Sequence, residues 1–197
     1  MRKVEIDWRN VGHPMPMALL GTQHEGRVNF MALAWHCRVN VSPPQVAVSV
    51  GRSAASAAAI AQNGCFGLSF PSHHELETTD YLGMVSGRST DKSGILPVFY
   101  GECDAAPMAD GCPVAMECRL AETLELPTST LFVGDVVKVY ADEECLAEGR
   151  VDLRKTDPLL LSMPDNRYWS LGAPAEAKAW SAGSRLRAST NPANART

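Results

Sequence analysis

The 197-residue chain has no Gly-x-Gly anywhere. That removes the usual dinucleotide fingerprint and the common glycine loops that cradle phosphates. Its six cysteines, Cys37, Cys65, Cys103, Cys112, Cys118 and Cys145, include no Cys-x-x-Cys pair. Zinc and iron–sulfur spacings are therefore missing, and no metal site is expected. The thiols, Cys37 among them, read as free and buried. No apolar run approaches the ~20 residues that span a bilayer, and the start, MRKVEIDWRN, lacks the apolar centre of a secretion signal. A cytoplasmic location without membrane contact is the default expectation. A basic excess is lacking too: the formal net charge is −4, which argues against nucleic acid as a partner. GMVSG (Gly83 to Gly87) is not a Gly-x-Ser-x-Gly nucleophile elbow, because its serine stands one place too late.

What is present is ordinary globular composition, 45% hydrophobic and 20% charged, in a length that suits one domain. PQVAVSV (Pro44 to Val50) alternates, with Val46, Val48 and Val50 on one face of a strand. A helix follows, with Ser53 placed to cap it and Gly64 to close it. CFGLSF (Cys65 to Phe70) is a further strand, with Phe66, Leu68 and Phe70 on one side. Ser72 to Glu75 has capping-box spacing, so a short helix is expected from about His73 to Leu82, ended by Gly83.

Two strands flank the turn at His24 to Gly26. Long alternating runs at Val114–Leu126 and Thr130–Asp142 read as a hairpin, with a bulge or bend at Gly134-Asp135. CLAEGRVD, from Cys145, reads as a last strand. Six or seven strands joined by tight turns, with two or three short helices, predict a mainly β, antiparallel barrel with helices as lids. The small, basic end, residues 184–197 after a domain of 1–183, reads as a flexible tail or an arm laid on a partner subunit.

Two polar loops carry the chemistry. VGRSAAS (Val50 to Ser56) sets Arg52, Ser53 and Ser56 at a helix start, where free N–H groups and the helix dipole favour an anion. SGRSTDK (Ser86 to Lys92) offers the donor fork of Arg88 and the compact charge of Lys92, with Asp91 between them able to orient either. Alone, each is more often a solvated turn; together they could clasp one phosphate. Asn29 can present donor and acceptor to a ring edge. Trp35, in a strand, is more often core than platform. The paired histidines His73-His74 read as solvated residues near a helix start. His36 and Cys37 point to opposite faces of a strand, so neither pair reads as a metal site.

The run NFMALAWHCRVNVSPPQVAVSVGRSAASAAAIAQNGCFGLSFPS resembles the flavin reductase-like, FMN-binding split-barrel family, and within it the flavoredoxins. The matching pattern is Asn29, Ala34-Trp35, Pro43-Pro44 before a valine strand, the serine-containing helix and NGCFGLSFP. SGRSTDK then follows with Ser86, Gly87, Arg88, Asp91 and Lys92 in register. VGDVVKVYADEECLAEGRVD and DPLLLSMPDNRYWSLG resemble the closing segments, so the likeness covers roughly 12–183.

The resemblance implies an antiparallel split β-barrel that binds FMN. It implies that Arg88 and Lys92, with Ser86 and Gly87, hold the phosphate, and that the loop of Val50, Arg52, Ser53 and Ser56 supplies the other side. The ring would lie near Asn29, Ala32, Ala34, Trp35 and the edge of Ser49-Val50, with Pro71 on the ribityl side. A homodimer with the flavin at the subunit interface is implied as well. So is an oxidoreductase fed by NAD(P)H or by a redox protein, working as a flavin or ferric reductase or as an electron carrier. A non-enzymatic flavin store or sensor on the same barrel is the remaining alternative. No catalytic acid or base is expected, because hydride or electron transfer at a flavin requires none.

Overall fold

The computed structural model describes residues 1–175 together with Ala179 and Ser181. The expected basic tail or dimer arm, 184–197, lies outside the described residues.

The main elements are β1 (Ala18–His24), β2 (Arg27–Leu33), β3 (His36–Asn40), β4 (Gln45–Gly51), α1 (Ala55–Asn63), β5 (Cys65–Phe70), α2 (Leu76–Met84), β6 (Val114–Glu125) and β7 (Ser129–Ala141). The seven strands form one sheet in the spatial order β2-β1-β5-β6-β7-β4-β3, and every neighbouring pair is antiparallel. Its two edge strands, β2 and β3, are consecutive in sequence and joined only by Ala34 and Trp35. The three Cα steps from Leu33 to His36 reach no further than about 11 Å, so the edges converge there. They share no ladder. The sheet is therefore a barrel with an open seam, a split barrel, and Ala34-Trp35 sits where the seam begins.

Local chemistry explains most joints. Glu25 and Gly26 have φ of 52° and 74°, the paired positive values of the two-residue turn that suits a right-twisted hairpin. The ladder of β6 and β7 shifts register between Val133 and Gly134, at the expected bulge. A side chain on Gly134 would come within 2.7 Å of the Phe66 ring, so the bulge also makes room for a core aromatic. Gly64 closes α1 at φ 67° and donates to the Ile60 carbonyl.

The interior packs Leu20, Leu33, Val46, Val48, Val50, Phe66, Leu68 and Phe132 against Ala57 and Ile60 of α1. The outer face of β1 and β2 is covered too, with Leu19 and Phe30 meeting Leu82 of α2, Ala109 and Cys112. This second cover makes β5 almost wholly buried, where alternation alone predicted one buried side. The segment 103–109 crosses that outer face. Side chains on Gly21 or Gly67 would come within 2.0 Å and 2.3 Å of the Pro107 carbonyl oxygen, and the Ala109 N–H donates to Ser69 Oγ at 2.8 Å.

Several expectations need correction. Ser53 does not cap α1: the cap position is Ala54, with no side-chain bond, because the helix begins one residue later than the serine needs. The Ser72–Glu75 capping box forms, but it opens a 3-10 turn (His73–Glu75) ahead of α2. Gly83 does not stop α2, which runs on to Met84. Its role is close packing, since a Cβ there would stand 3.2 Å from that of Ala32. The stretch from Cys145 is two short strands, Leu146–Ala147 and Arg150–Val151, around a turn with Glu148 at φ 52° and Gly149 at φ 72°. Cys37 is exposed, while the other five cysteines are buried and all six are free. No helix among the described residues is long and apolar enough to cross a membrane.

Candidate functional site

A polar recess lies where β2, the start of α1, the end of α2 and the turn after it meet. Its cavity is about 100 Å³, lined by Asn29, Ala32, Ser56, Ser86, Gly87 and Lys92, together with Met31, Ala54, Ala55, Leu82, Gly83 and Val85. Three of its polar side chains are buried, Asn29 at 5%, Ser56 at 1% and Lys92 at 3% exposure. Polar groups are hidden at this density only when they are partnered or kept for a ligand.

The partners are specific. Asn29 Nδ2 donates to Ser56 Oγ at 2.9 Å and to Thr22 Oγ1 at 3.3 Å, tying β2 to the first turn of α1 and to β1. Asn29 Oδ1 is buried and has no partner among the described residues. A Cβ on Gly87 would fall 2.1 Å from that oxygen, so the glycine lets the turn close against Asn29 while lining the cavity. Lys92 Nζ donates to the Phe30 and Leu82 carbonyls, each at 2.9 Å. An ammonium has three N–H groups, so one remains for the recess. Burial lowers the Lys92 pKa from its ordinary value, and no acidic side chain offsets that effect. At the start of α1 the Ala57 N–H is taken by the Ala54 carbonyl at 3.2 Å, while Ala55 and Ser56, which line the recess, have N–H groups with no helical acceptor by geometry.

The two polar loops are joined. Arg88 Nε donates to the Ser53 carbonyl at 2.6 Å, while the Arg88 N–H reaches Ser86 Oγ at 3.3 Å. Arg88 is exposed at the rim. Asp91 orients neither Arg88 nor Lys92. It accepts from the Ser93 N–H and hydroxyl and faces Arg27 at 3.6 Å. The Ser93 hydroxyl, the Ser93 N–H and Arg27 together hold its carboxyl below the usual range. Arg52 lies outside the recess, against Glu125 at 3.4 Å and the Leu126 carbonyl.

The other expected residues lie along the seam or beyond it. Ser49 donates its N–H to the Trp35 carbonyl at 2.9 Å, so β4 holds the link between β2 and β3. Val50 is fully buried in the barrel interior. Pro71 is buried and its carbonyl accepts from Leu159. Ala34 is half-buried, and Trp35 is 47% exposed and lines a second cavity.

That cavity, about 650 Å³, was not foreseen. Trp8, Arg9, His13, Met15, Trp35 and Met163 line it. His13 Nε2 meets the Arg9 carbonyl at 3.1 Å and its Nδ1 faces the Met163 N–H at 3.4 Å. Arg9 is neutralised by Asp7 at 2.7 Å. The lining is mostly apolar, with the paired Asp7 and Arg9, Asn10 and His13 as its polar members, and is sized for a small planar ligand. Its walls come from segments distant in sequence, and only Trp35 carried a signal.

The recess fits one phosphate-sized anion and is too small for a whole mononucleotide. Ala32 touches the recess and Trp35 the larger cavity, three residues or on the order of 10 Å apart.

Residues 10–165 match the protein family described as Flavin reductase like domain. Among solved structures, flavoredoxin from Methanosarcina acetivorans is 45% identical, with a TM-score of 0.92 over 94% of this chain and 100% of that one. Flavoredoxin of Desulfovibrio vulgaris (Miyazaki F) is 33% identical, with a TM-score of 0.84 over 92% and 100% of the two chains. An FMN-binding protein from Thermus thermophilus, solved with p-hydroxybenzaldehyde, is 27% identical, with a TM-score of 0.78 over 90% and 100%.

Proposed function

Because the chain belongs to the flavin reductase-like family, on its flavoredoxin branch, we propose that it is an FMN-binding oxidoreductase that passes electrons through the bound flavin. The observation that carries this reading is the buried set Asn29, Ser56 and Lys92 around the cavity that Gly87 lines. It has the donors, the helix N-terminus and the size for a phosphate. The relative from Thermus thermophilus is named as FMN-binding, which supports FMN over other phosphorylated ligands.

In this reading Ser56, the α1 N–H groups and the third N–H of Lys92 take the phosphate, and Arg88 closes the rim. The ribityl chain passes Ala32 and Ala34 along the seam, and the ring lies toward Trp35. When bound, FMN supplies a carrier that accepts a hydride or single electrons. The chain holds and orients it, and no side chain near the recess is needed as acid or base.

Two donors are compatible with an open ring face. NAD(P)H could stack there directly, which would make the protein a flavin or ferric reductase; a protein donor would make it an electron carrier. A homodimer is part of the proposal, supported by the exposed Trp8 (72%), Val41 (90%) and Trp169 (47%), apolar surface of the kind that pairs. A cytoplasmic home is proposed as well. Six free thiols persist more readily in a reducing compartment.

The test begins with the visible spectrum of the purified protein and the mass of any released chromophore. A colourless protein that takes up no FMN overturns the reading. Stopped-flow mixing then divides its forms. Rapid bleaching by NADH or NADPH supports the reductase, and bleaching only by a reduced redox protein supports the carrier. Reduction by neither leaves a flavin store or sensor.

A further inference from the structure

Cys65 and Cys103 lie together in one small buried cluster with Ala106, each 7% exposed. Cys65 begins β5 opposite Arg119 of β6. Alternation puts it on the outer face with Gly67 and Ser69, away from the barrel interior that holds Phe66 and Cys118. The segment 103–109 crosses that outer face, and the missing side chains of Gly21 and Gly67 let its backbone approach.

Cys103 is pinned there: its N–H donates to Glu117 Oε2 at 2.9 Å, beside the Glu102 N–H at 2.8 Å. The two thiols share this buried cluster, and the Cys103 thiol and the Ala105 N–H both act on the Cys65 thiol, lowering its pKa. Nothing in the recess or the seam uses this pair.

We propose that Cys65 and Cys103 are a redox-convertible pair, closed to an intramolecular disulfide by a low-molecular-weight disulfide such as oxidised glutathione. Cys65 is the first nucleophile: burial raises both thiols, but the Ala105 N–H, the Cys103 thiol and Arg119 partly offset this at Cys65, whereas Glu117 raises Cys103 further. The Cys65 thiolate attacks one sulfur of the small disulfide, and one small thiolate leaves. Cys103, deprotonated in turn, attacks Cys65 Sγ and expels the second. Two protein thiols lose two electrons and two protons, and one small disulfide becomes two small thiols. The closed loop contains α2 and the Ser86–Lys92 turn, so oxidation braces two of the elements that shape the recess.

Cys118 is not the partner. It points into the interior, where burial pushes its thiol up to about 12. Burial raises Cys65 and Cys103 as well, so closure is slow at neutral pH and quickens as pH rises beyond the ordinary thiol range.

The experiment uses the full chain carrying Cys37→Ser, which removes the one exposed thiol, incubated with excess oxidised glutathione across a pH series. The expected result is an intact mass lower by two hydrogens and a Cys65–Cys103 linked peptide in a non-reducing digest, both reversed by dithiothreitol. With Cys103→Ser added, a glutathione adduct on Cys65 should replace the cross-link. Should that variant fail to fold, the peptide map of its parent still decides. A folded protein that keeps all five remaining thiols, or a cross-link through any other cysteine, overturns the proposal.

Discussion

The Asn29 amide nitrogen donates to the Ser56 hydroxyl at 2.9 Å, and this bond joins the edge strand β2 to the first turn of α1. It turns Ser56 into an acceptor for protein, so the Ser56 O–H is left to donate into the recess. Replacing Ser56 by alanine leaves the Asn29 amide nitrogen only its longer bond to Thr22 and removes that donor. FMN affinity should fall about tenfold or more, as for a hydrogen bond to a charged group, while riboflavin affinity changes little. Fluorescence titration of both ligands checks this. In the parent protein, the same titration should favour FMN over riboflavin by roughly tenfold or more, because a charged hydrogen bond contributes about 1.5–3 kcal/mol. Equal affinities would remove the phosphate from the recess.

Gly87 is required for space rather than for backbone conformation. A methyl group there would stand 2.1 Å from Asn29 Oδ1 and 3.3 Å from the Ala55 Cβ. Gly87→Ala must therefore displace Asn29 or the turn. We expect FMN binding to weaken by about tenfold or more, a loss of roughly 1.4 kcal/mol or greater. Thermal stability should change by only a few °C, because the turn itself is on the surface. Calorimetric titration beside a melting curve separates the two effects. Unchanged FMN affinity would show that the space beside Gly87 is not part of the site.

Lys92 has two roles that pH can divide. Its ammonium bridges the Phe30 and Leu82 carbonyls, and burial lowers its pKa from 10.5. The charged form is therefore a cost to the folded state, fully present below the folded-state pKa. As pH rises from that pKa to 10.5, the unfolded chain holds its proton more tightly than the folded one, so stability of the flavin-free protein should rise in that window. FMN affinity should fall across the same window, since the phosphate needs the charged form. Lys92→Met should abolish both trends and weaken FMN at neutral pH. It also leaves two buried carbonyls without a donor, at about 1–3 kcal/mol each. Urea midpoints and FMN titrations of the variant, taken at matched pH, check both signs.

The parts of this molecule that were legible share one property: their cause is local in sequence. The valines at 46, 48 and 50, the Glu25-Gly26 turn, the Ser72–Glu75 box and the Gly134 bulge each carry period or turn chemistry within a few residues. SGRSTDK was legible as a polar turn for the same reason, and its role in holding an anion belongs to the proposal. Lys92 as a strut was not, because its acceptors are backbone carbonyls, which leave no mark in a sequence. The cover of 103–109 over Gly21 and Gly67 was missed because the crossing chain has no periodicity, and two strand glycines do not say what approaches them. The larger cavity needs Trp8, His13, Trp35 and Met163 at once, and only folding makes them neighbours.

Glu117 gives the last test. It is fully buried on β6, accepting from the Glu102 and Cys103 N–H groups at 2.8 and 2.9 Å and from the Tyr140 hydroxyl at 2.8 Å. Gly101 makes room for this cluster, since a Cβ there would fall 2.2 Å from Glu117 Oε1. Burial pushes the carboxyl up, but the Glu102 N–H, the Tyr140 hydroxyl and the Cys103 N–H outweigh it and hold the pKa below 4.5. A depressed carboxyl contributes stability that is present above the unfolded value and lost as pH falls through the folded one. Glu117→Gln turns an NH2 group toward donors and should cost about 1–3 kcal/mol at neutral pH. That difference should stay constant down to about pH 5 and shrink below 4.5 as the parent protonates. Urea denaturation of both proteins from pH 3 to 7 measures it, and a difference that persists undiminished at pH 3 would mean that the carboxylate charge contributes nothing to holding the 100–107 segment on the sheet.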